Sequence, residues 1–193
     1  IKERISIKEV FQSVIAQLRE ADCDSVAIAL LHAYRNPVHE QQLALAVREA
    51  GFEYVSVSHE LSPVIKLLPR TRTALVNAYL APVIHHYLDR IASTIGVAGG
   101  TSDLLVMSSA GGLVSYQHYR PKDSLLSGPA GGMVGAATIG HHLGIRRLLT
   151  LDMGGTSTDT ARYDHQYDYR FRTEIDGIVL NSPTLAIETV AAG

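Results

Sequence analysis

Between Leu149 and Asp159 the chain reads Leu-Thr-Leu-Asp-Met-Gly-Gly-Thr-Ser-Thr-Asp. A strand-like apolar run delivers the carboxylate of Asp152 to its end, and Gly154 and Gly155 then turn the chain into a second strand through hydroxyl residues. Two residues without side chains let backbone N–H groups close around phosphate oxygens, a concave nest for anions. A carboxylate beside such a nest suits Mg²⁺, which takes oxygen ligands, keeps several waters and bridges carboxylate to phosphate. Asp159, seven residues on, returns to the same mouth if the hairpin is tight. The competing reading is a plain glycine hairpin with a solvated Asp; the strand-borne carboxylate and the hydroxyl cluster favour phosphate. No Lys follows the glycines and no G-x-G-x-x-G opens a helix after a strand, so neither standard nucleotide fingerprint applies.

A second candidate precedes it, Ser127-Gly128-Pro129-Ala130-Gly131-Gly132-Met133-Val134-Gly135-Ala136-Ala137. The start of a helix accepts an anion through its free N–H groups and its dipole. Small residues also let a helix pack closely on a sheet. Gly135, Ala136 and Gly140 lie too far along for a ligand at the helix start, so packing accounts for them. For Ser127, Gly128 and Gly131 both readings stay open.

The histidines supply a third set. His85-His86 and His141-His142 are adjacent on expected helices, where neighbours point in different directions, so they read as surface or interhelical residues. His32, His39 and Glu40 form the best cluster, at a strand end and the first turn of the next helix, where open sheets bind ligands. The stronger reading is structural, with Arg35, Asn36 and Glu40 fixing the loop. Cys23, between Asp22 and Asp24, lacks the electropositive setting of a reactive thiol.

The elements that must position these residues follow from periodicity and punctuation. Ser6-Ile7-Lys8-Glu9 has the form of a capping box, opening a helix with Val10, Phe11, Val14, Ile15 and Leu18 at helical spacing. Val26 to Leu31 reads as a strand buried on both faces, as in a parallel sheet. Asn36-Pro37 predicts a cap with proline at the first helical position, and Gly51 the stop of that helix. Glu53 to Val57 supplies the next strand, completing half of an open α/β sheet. A helix from Thr71 to about Ile95 carries Pro82, which is expected to kink or split it.

Gly99 to Ser102 reads as a loop, Leu104 to Met107 as a strand and Gly111-Gly112 as a turn. A small-residue helix from Ser127 to about Leu143 stops at Gly144. Strands are expected at Leu148 to Met153 and Thr156 to Tyr163, with a turn at Asp164 to Gln166 leading into Tyr167 to Thr173. Ile178 to Ala192 reads as strand plus loop.

Composition removes several classes of function. The 17 basic and 19 acidic residues give a net charge of −2, without the basic excess that displaces counterions from nucleic acid. Hydrophobic residues at 46% against 19% charged describe a globular chain. One cysteine forms neither an internal disulfide nor a Cys-based zinc site. The longest apolar run, Val26 to Leu31, is too short to span a bilayer, and the expected compartment is the cytoplasm. Fifteen of the 16 glycines lie beyond residue 95, so backbone that turns sharply or approaches something closely is concentrated in the second half.

The order of a small-residue helix followed by strand–Asp–Gly–Gly–Thr–strand resembles the actin-like ATPase (ribonuclease H-like) fold of sugar kinases, heat-shock chaperones and actin. The resemblance narrows to the hydantoinase A/oxoprolinase family, which includes N-methylhydantoinases, related lactamases and the nucleotide-handling subunits of acetone-type carboxylases. It rests on Leu31 to Glu40, on Arg72-Thr73 with Asn77 to Pro82, on Ser109 to Leu113, on Leu126 to Gly132 and on Leu151 to Asp159. These five motifs are collinear over nearly the whole chain.

The resemblance implies an α/β chain holding an incomplete actin-like fold: helix–strand units, then a phosphate-binding β-hairpin. It implies that residues 1–70 are the C-terminal part of a first region and 71–193 the N-terminal part of the hydantoinase A domain. An earlier D-x-G-G-T-x-T-D hairpin and a later adenosine-binding segment are expected outside this sequence, which then carries one of two phosphate clamps. ATP and Mg²⁺ would serve to phosphorylate the oxygen of a cyclic amide or ketone, for ring opening or carboxylation, together with a hydantoinase B-type subunit or domain. Gly154, Gly155 and Thr156 would hold the phosphates and Asp152 would orient Mg²⁺-bound water, with Ser157 and Asp159 in support. Neither nucleic acid nor membrane is an expected partner, and homo-oligomer formation is left open. The alternatives are a non-catalytic actin-like ATPase and an α/β interaction module in which the hairpin is only structural. The motifs around His32 to Glu40 and Ser127 to Gly132 look like the enzyme family and not like chaperones.

Overall fold

A computed structural model describes residues 7–97, 103–175 and 177–191. Ser6 of the expected capping box, the Gly99 to Ser102 loop and Ala192-Gly193 lie outside the described residues. The chain divides into two compact units, Ile1–Ile84 and His85–Gly193.

In the first unit, helix α1 (Ile7–Glu20) leads into strand β1 (Ser25–Ile28), helix α2 (Val38–Glu49), strand β2 (Tyr54–Val57) and the single-turn helix α3 (Ser58–Leu61). β1 and β2 pair in parallel, with Ser25 opposite Tyr54 and Ile28 opposite Val57, joined through α2 as parallel strands require. Val26, Ile28, Leu43, Ala44, Val47 and Val57 make the buried core, and Phe11, Ile15, Leu18 and the half-buried Cys23 pack against it.

Three expectations shift here. β1 stops at Ile28, its burial alternates, and Leu31 is 70% exposed. The cause is local: the Leu30 N–H donates to Glu40 and the Leu30 carbonyl accepts from Arg70, so side chains take the backbone groups that a longer strand would pair. Pro37 takes the N-cap position, so α2 starts at Val38, one residue later than expected, and the Asn36 side chain accepts from the Val38 N–H. Gly51 follows the C-cap with φ +99°, as a left-handed helix stop requires.

Helix α4 (Leu67–Thr94) starts four residues earlier than expected and runs through Pro82 as one helix. Proline deletes one N–H and therefore one intrahelical hydrogen bond; the other turns of this 28-residue helix keep it continuous.

The second unit opens with a hairpin of β3 (Leu105–Met107) and β4 (Leu113–Ser115). Gly111 turns it with φ +80°, and a Cβ there would sit 3.0 Å from Leu185 and 3.1 Å from Val134, so glycine is required twice over. Two short 3₁₀ turns, Tyr116–His118 and Pro121–Ser124, lead to helix α5 (Ser127–His142), which ends before Gly144 at φ +73°.

Strands β5 (Arg147–Met153) and β6 (Thr158–Asp164) form an antiparallel hairpin. β6 starts two residues later than expected because the Gly154 N–H bonds to the Ser157 carbonyl, which closes the turn over Gly154 to Ser157. His165 makes the next turn at φ +61°. The remaining chain is more strand-rich than expected: β7 (Tyr169–Arg170), β8 (Thr173–Ile175), β9 (Ile178–Leu180), β10 (Thr184–Leu185) and β11 (Ile187–Val190). The expected strand from Tyr167 to Thr173 is thus two short pieces, and the expected terminal loop is largely strand.

β8 pairs with β9, β7 with β10, and β11 completes a three-stranded sheet in the order β11-β6-β5. α5 packs on one face of that sheet through Ala130 and Met133, which share a buried core with Leu185 and Ile187. No described helix is long and apolar enough to cross a membrane.

Candidate functional site

Residues directly opposite each other in an antiparallel ladder point to the same face. Asp152 lies opposite Asp159, and Asp159 lies opposite Thr189 of β11, so the three form one row across the sheet. The next row on that face is Thr150, Ala161 and Ile187. This second row is the one covered by α5: the Thr150 hydroxyl lies 3.8 Å from the Met133 sulfur, and Ala161 and Ile187 belong to the core under the helix. The aspartate row is therefore one step beyond the core, at the strand ends beside the Gly154–Ser157 turn.

A cavity of about 340 Å³ opens between helix and sheet at this place. α5 contributes Pro129, Gly132, Met133 and Ala136, and the sheet contributes Thr150, Asp152, Asp159 and Ile187. Ser127, Gly128 and Gly131 are not among its lining residues. The Ser127 hydroxyl donates to the Ser124 carbonyl, Gly128 faces open space, and Gly131 lies against Met107. Ala136, expected to lie too far along for a ligand at the helix start, lines this cavity from the body of α5. Gly140 is a packing glycine as expected, since a Cβ there would sit 2.8 Å from Leu148 Cδ2, but Gly135 has nothing within 4 Å.

Asp152, Gly154, Gly155 and Thr156 are exposed, while Ser157 and Asp159 are half-buried. Asp159 Oδ1 accepts a hydrogen bond of 2.5 Å from the Thr189 hydroxyl. Among the described residues neither aspartate pairs with Lys, Arg or His. Like charges directly opposite in a ladder are destabilising. Two facing carboxylates without a basic partner are a donor set that fits a hard divalent cation.

The Glu40 region has another organisation. His32 and His39 are exposed, and no group of three or more possible metal-ligating side chains exists among the described residues. Glu40 is fully buried and accepts from the Leu30 N–H (2.7 Å), the Ser58 hydroxyl (2.6 Å), the His59 N–H (3.0 Å) and His59 Nδ1 (2.7 Å). The guanidinium of Arg70, also fully buried, lies 3.6 Å from Glu40 and donates to Ser58 and to the Leu30 carbonyl. Burial pushes the Glu40 carboxyl up, but the bonds from Ser58, Leu30 and His59 outweigh it and hold the group below its ordinary range. Glu40 thus fixes the loop as the structural reading expects, with Ser58, His59 and Arg70 as partners where Arg35 and Asn36 were expected. The adjacent Ser58-His59 and the distant Arg70 were the missed signals.

A third polar centre joins Lys122, Asp123 and Ser182. The buried Lys122 ammonium donates to Asp123 Oδ1 at 2.5 Å and to the Ser182 hydroxyl at 2.6 Å, and Ser182 donates to Asp123 at 2.9 Å. Burial lowers the Lys122 ammonium from its ordinary range, against the opposing pull of Asp123. The cluster ties the segment between β9 and β10 to the turn before α5.

The family model described as Hydantoinase/oxoprolinase matches residues 70–193, and that of the Hydantoinase/oxoprolinase N-terminal region matches residues 3–51. The chain belongs to the hydantoinase/oxoprolinase family. A 5-oxoprolinase of Pestalotiopsis fici is 42% identical over 194 residues, covering 100% of this chain and 15% of that protein. The crystal structure of an ATP-dependent caprolactamase from Pseudomonas jessenii superposes with a TM-score of 0.83 at 29% identity, over 99% of this chain and 29% of that one. A nucleotide-free acetone carboxylase, from work on ATP-dependent acetone carboxylation, gives 0.81 at 29%, over 96% of this chain and 27% of its own. The fold is the hydantoinase-family ATPase-like fold, present in part. The chain spans about 15% of the length of the curated oxoprolinase it matches.

Proposed function

We propose that the complete protein is an ATP-dependent enzyme that activates a cyclic amide of the 5-oxoproline or lactam type, and that this chain supplies one of its two phosphate clamps. The facing pair Asp152 and Asp159, uncompensated by any basic side chain among the described residues and set beside the Gly154–Ser157 turn, carries the reading. ATP would supply the phosphoryl group that makes the ring carbonyl carbon open to water, and Mg²⁺ the charge neutralisation such a transfer needs. Asp152, exposed at the end of β5, orients metal-bound water. Gly155 and Thr156 offer turn amides to phosphate oxygens, whereas the Gly154 amide is engaged with Ser157 and shapes the turn. Ser157 and Asp159 support the same mouth, and the cavity under Pro129 and Gly132 receives part of the ligand.

The 5-oxoprolinase at 42% identity and the caprolactamase structure support a cyclic amide. The acetone carboxylase structure supports a second reading, in which a ketone oxygen is phosphorylated ahead of carboxylation. In either case residues 1–70 and 71–193 belong to successive regions of the longer enzyme, which works in the cytoplasm with a hydantoinase B-type subunit or domain. In the complete enzyme, Asp152→Asn is expected to cut ATP-dependent turnover by orders of magnitude with unchanged circular dichroism. Turnover near the parent level would remove Asp152 from the mechanism.

A further inference from the structure

We propose that Thr189 is a positioning residue for the metal-facing carboxylates, acting through Asp159. The inference rests on the reading of Asp152 and Asp159 as the cation-facing pair. Three observations lead to it. Thr189 stands opposite Asp159 in the ladder, which puts its hydroxyl in the same row and on the same face as both carboxylates. Its hydroxyl donates to Asp159 Oδ1 at 2.5 Å, within the range of a charge-assisted O–H···O⁻ bond. The hydroxyl of the next threonine along β6, Thr160, points instead to the Glu188 carbonyl, so the Thr189 contact is not a general habit of hydroxyls on this sheet.

The consequence is an asymmetry between two carboxylates that face each other. Asp159 has one oxygen tied to β11, which restrains its side-chain torsion through a neighbour in the sheet and leaves Oδ2 outside that bond. Asp152, exposed at the end of β5, has no such tether among the described residues and can follow a hydrated cation. A partner that orients a ligand in this way commonly changes metal affinity by about 10- to 100-fold when removed. Thr189 lies thirty residues from Asp159 in the chain, so the assignment depends on the β11–β6 register and not on any local motif.

The test uses the complete enzyme and three variants, Thr189→Val, Thr189→Ser and Asp159→Asn. Valine keeps the branched shape and the strand preference while deleting the hydroxyl; serine keeps the hydroxyl. Mn²⁺ is titrated with a non-hydrolysable ATP analogue present, free metal is read by electron paramagnetic resonance, and thermal melting is followed in parallel. The expected result is a loss of about tenfold or more in Mn²⁺ affinity for Thr189→Val, recovery to within about threefold for Thr189→Ser, and unchanged melting for both. Parent-like affinity in Thr189→Val with a large loss in Asp159→Asn overturns the role of Thr189 and leaves the carboxylate pair standing. Parent-like affinity in both overturns the placement of Asp159 as well. Failure of Thr189→Ser to recover affinity also overturns the proposal, because the hydroxyl is then not the operative group.

Discussion

Glu40 shows how one buried side chain determines the local path of the backbone. Its two oxygens take four hydrogen bonds, and the carboxylate is held ionised despite complete burial. Since Glu40 accepts at both oxygens, His59 Nδ1 must carry a proton. Arg70 balances the charge and reaches the Leu30 carbonyl. Removing one member of such a set leaves the other charge buried without compensation, which typically costs about 3–5 kcal/mol. Glu40→Gln is therefore expected to lower unfolding free energy in denaturant by about that amount at neutral pH. The pH dependence has a definite sign. A carboxyl whose folded pKa lies below its ordinary 4.5 contributes stability that is present above 4.5 and is lost as pH falls through the folded value. The parent chain should lose stability through that acid window, and Glu40→Gln should show a shallower acid limb in the same melts. Equal acid limbs would show that folding does not lower the Glu40 pKa.

At the scale of elements, α5 separates two uses of glycine that composition alone merges. Gly140 packs on Leu148 and the Ile145 carbonyl, while Gly135 faces open space. Overpacking costs about 1–3 kcal/mol, and replacing glycine by alanine in a helix returns roughly 0.5–1 kcal/mol. Gly140→Ala is expected to destabilise by about 1 kcal/mol net, with Leu148 shifting to relieve part of the clash. Gly135→Ala is expected to stabilise by about half that amount. Chemical denaturation of the two variants side by side checks both signs. The four long helices and the β5–β6 hairpin were legible in the sequence because each is a local unit with its own period, punctuated at Gly51, Gly144 and Gly154-Gly155, whereas the single turn α3 left no such signal. Beyond His165 strand character was legible, but its division into β7 to β11 was not, because these are two to four residues long and most of their pairing is with distant strands. The same reason hid the site's third member: Asp152 and Asp159 face each other through a local turn, but Thr189 joins them only through the register of β11. The apolar run past Ile28 misled for another reason. Its residues have strand character, but Glu40 and Arg70 claim the backbone of Leu30.

For the molecule as a whole, the side of the sheet turned away from α5 bears on how well the site is held. Leu149, Leu151 and Met153 are 81%, 69% and 64% exposed there, an apolar stripe larger than scattered surface residues produce. β5 is also an edge of its sheet, with β6 as its sole partner among the described strands. The strand that presents Asp152 is thus supported on one face and along one edge. Under the proposed role, a nucleotide binding there would have to order the hairpin turn as well as its own phosphates, and that ordering is subtracted from the affinity. The relatives devote several times this length of chain to their function, since the 194-residue match is 15% of the oxoprolinase. We therefore expect the 193-residue chain alone to show no ATP-dependent turnover. Its ATP affinity with Mg²⁺ should be weaker than micromolar by isothermal calorimetry, and the complete protein should bind at least tenfold more tightly. Because the deficit lies in support and not in the aspartate row, Asp152→Asn should change the weak affinity of the isolated chain less than it changes that of the complete protein. Micromolar binding by the isolated chain would mean that one clamp suffices and that the exposed stripe leaves the hairpin rigid.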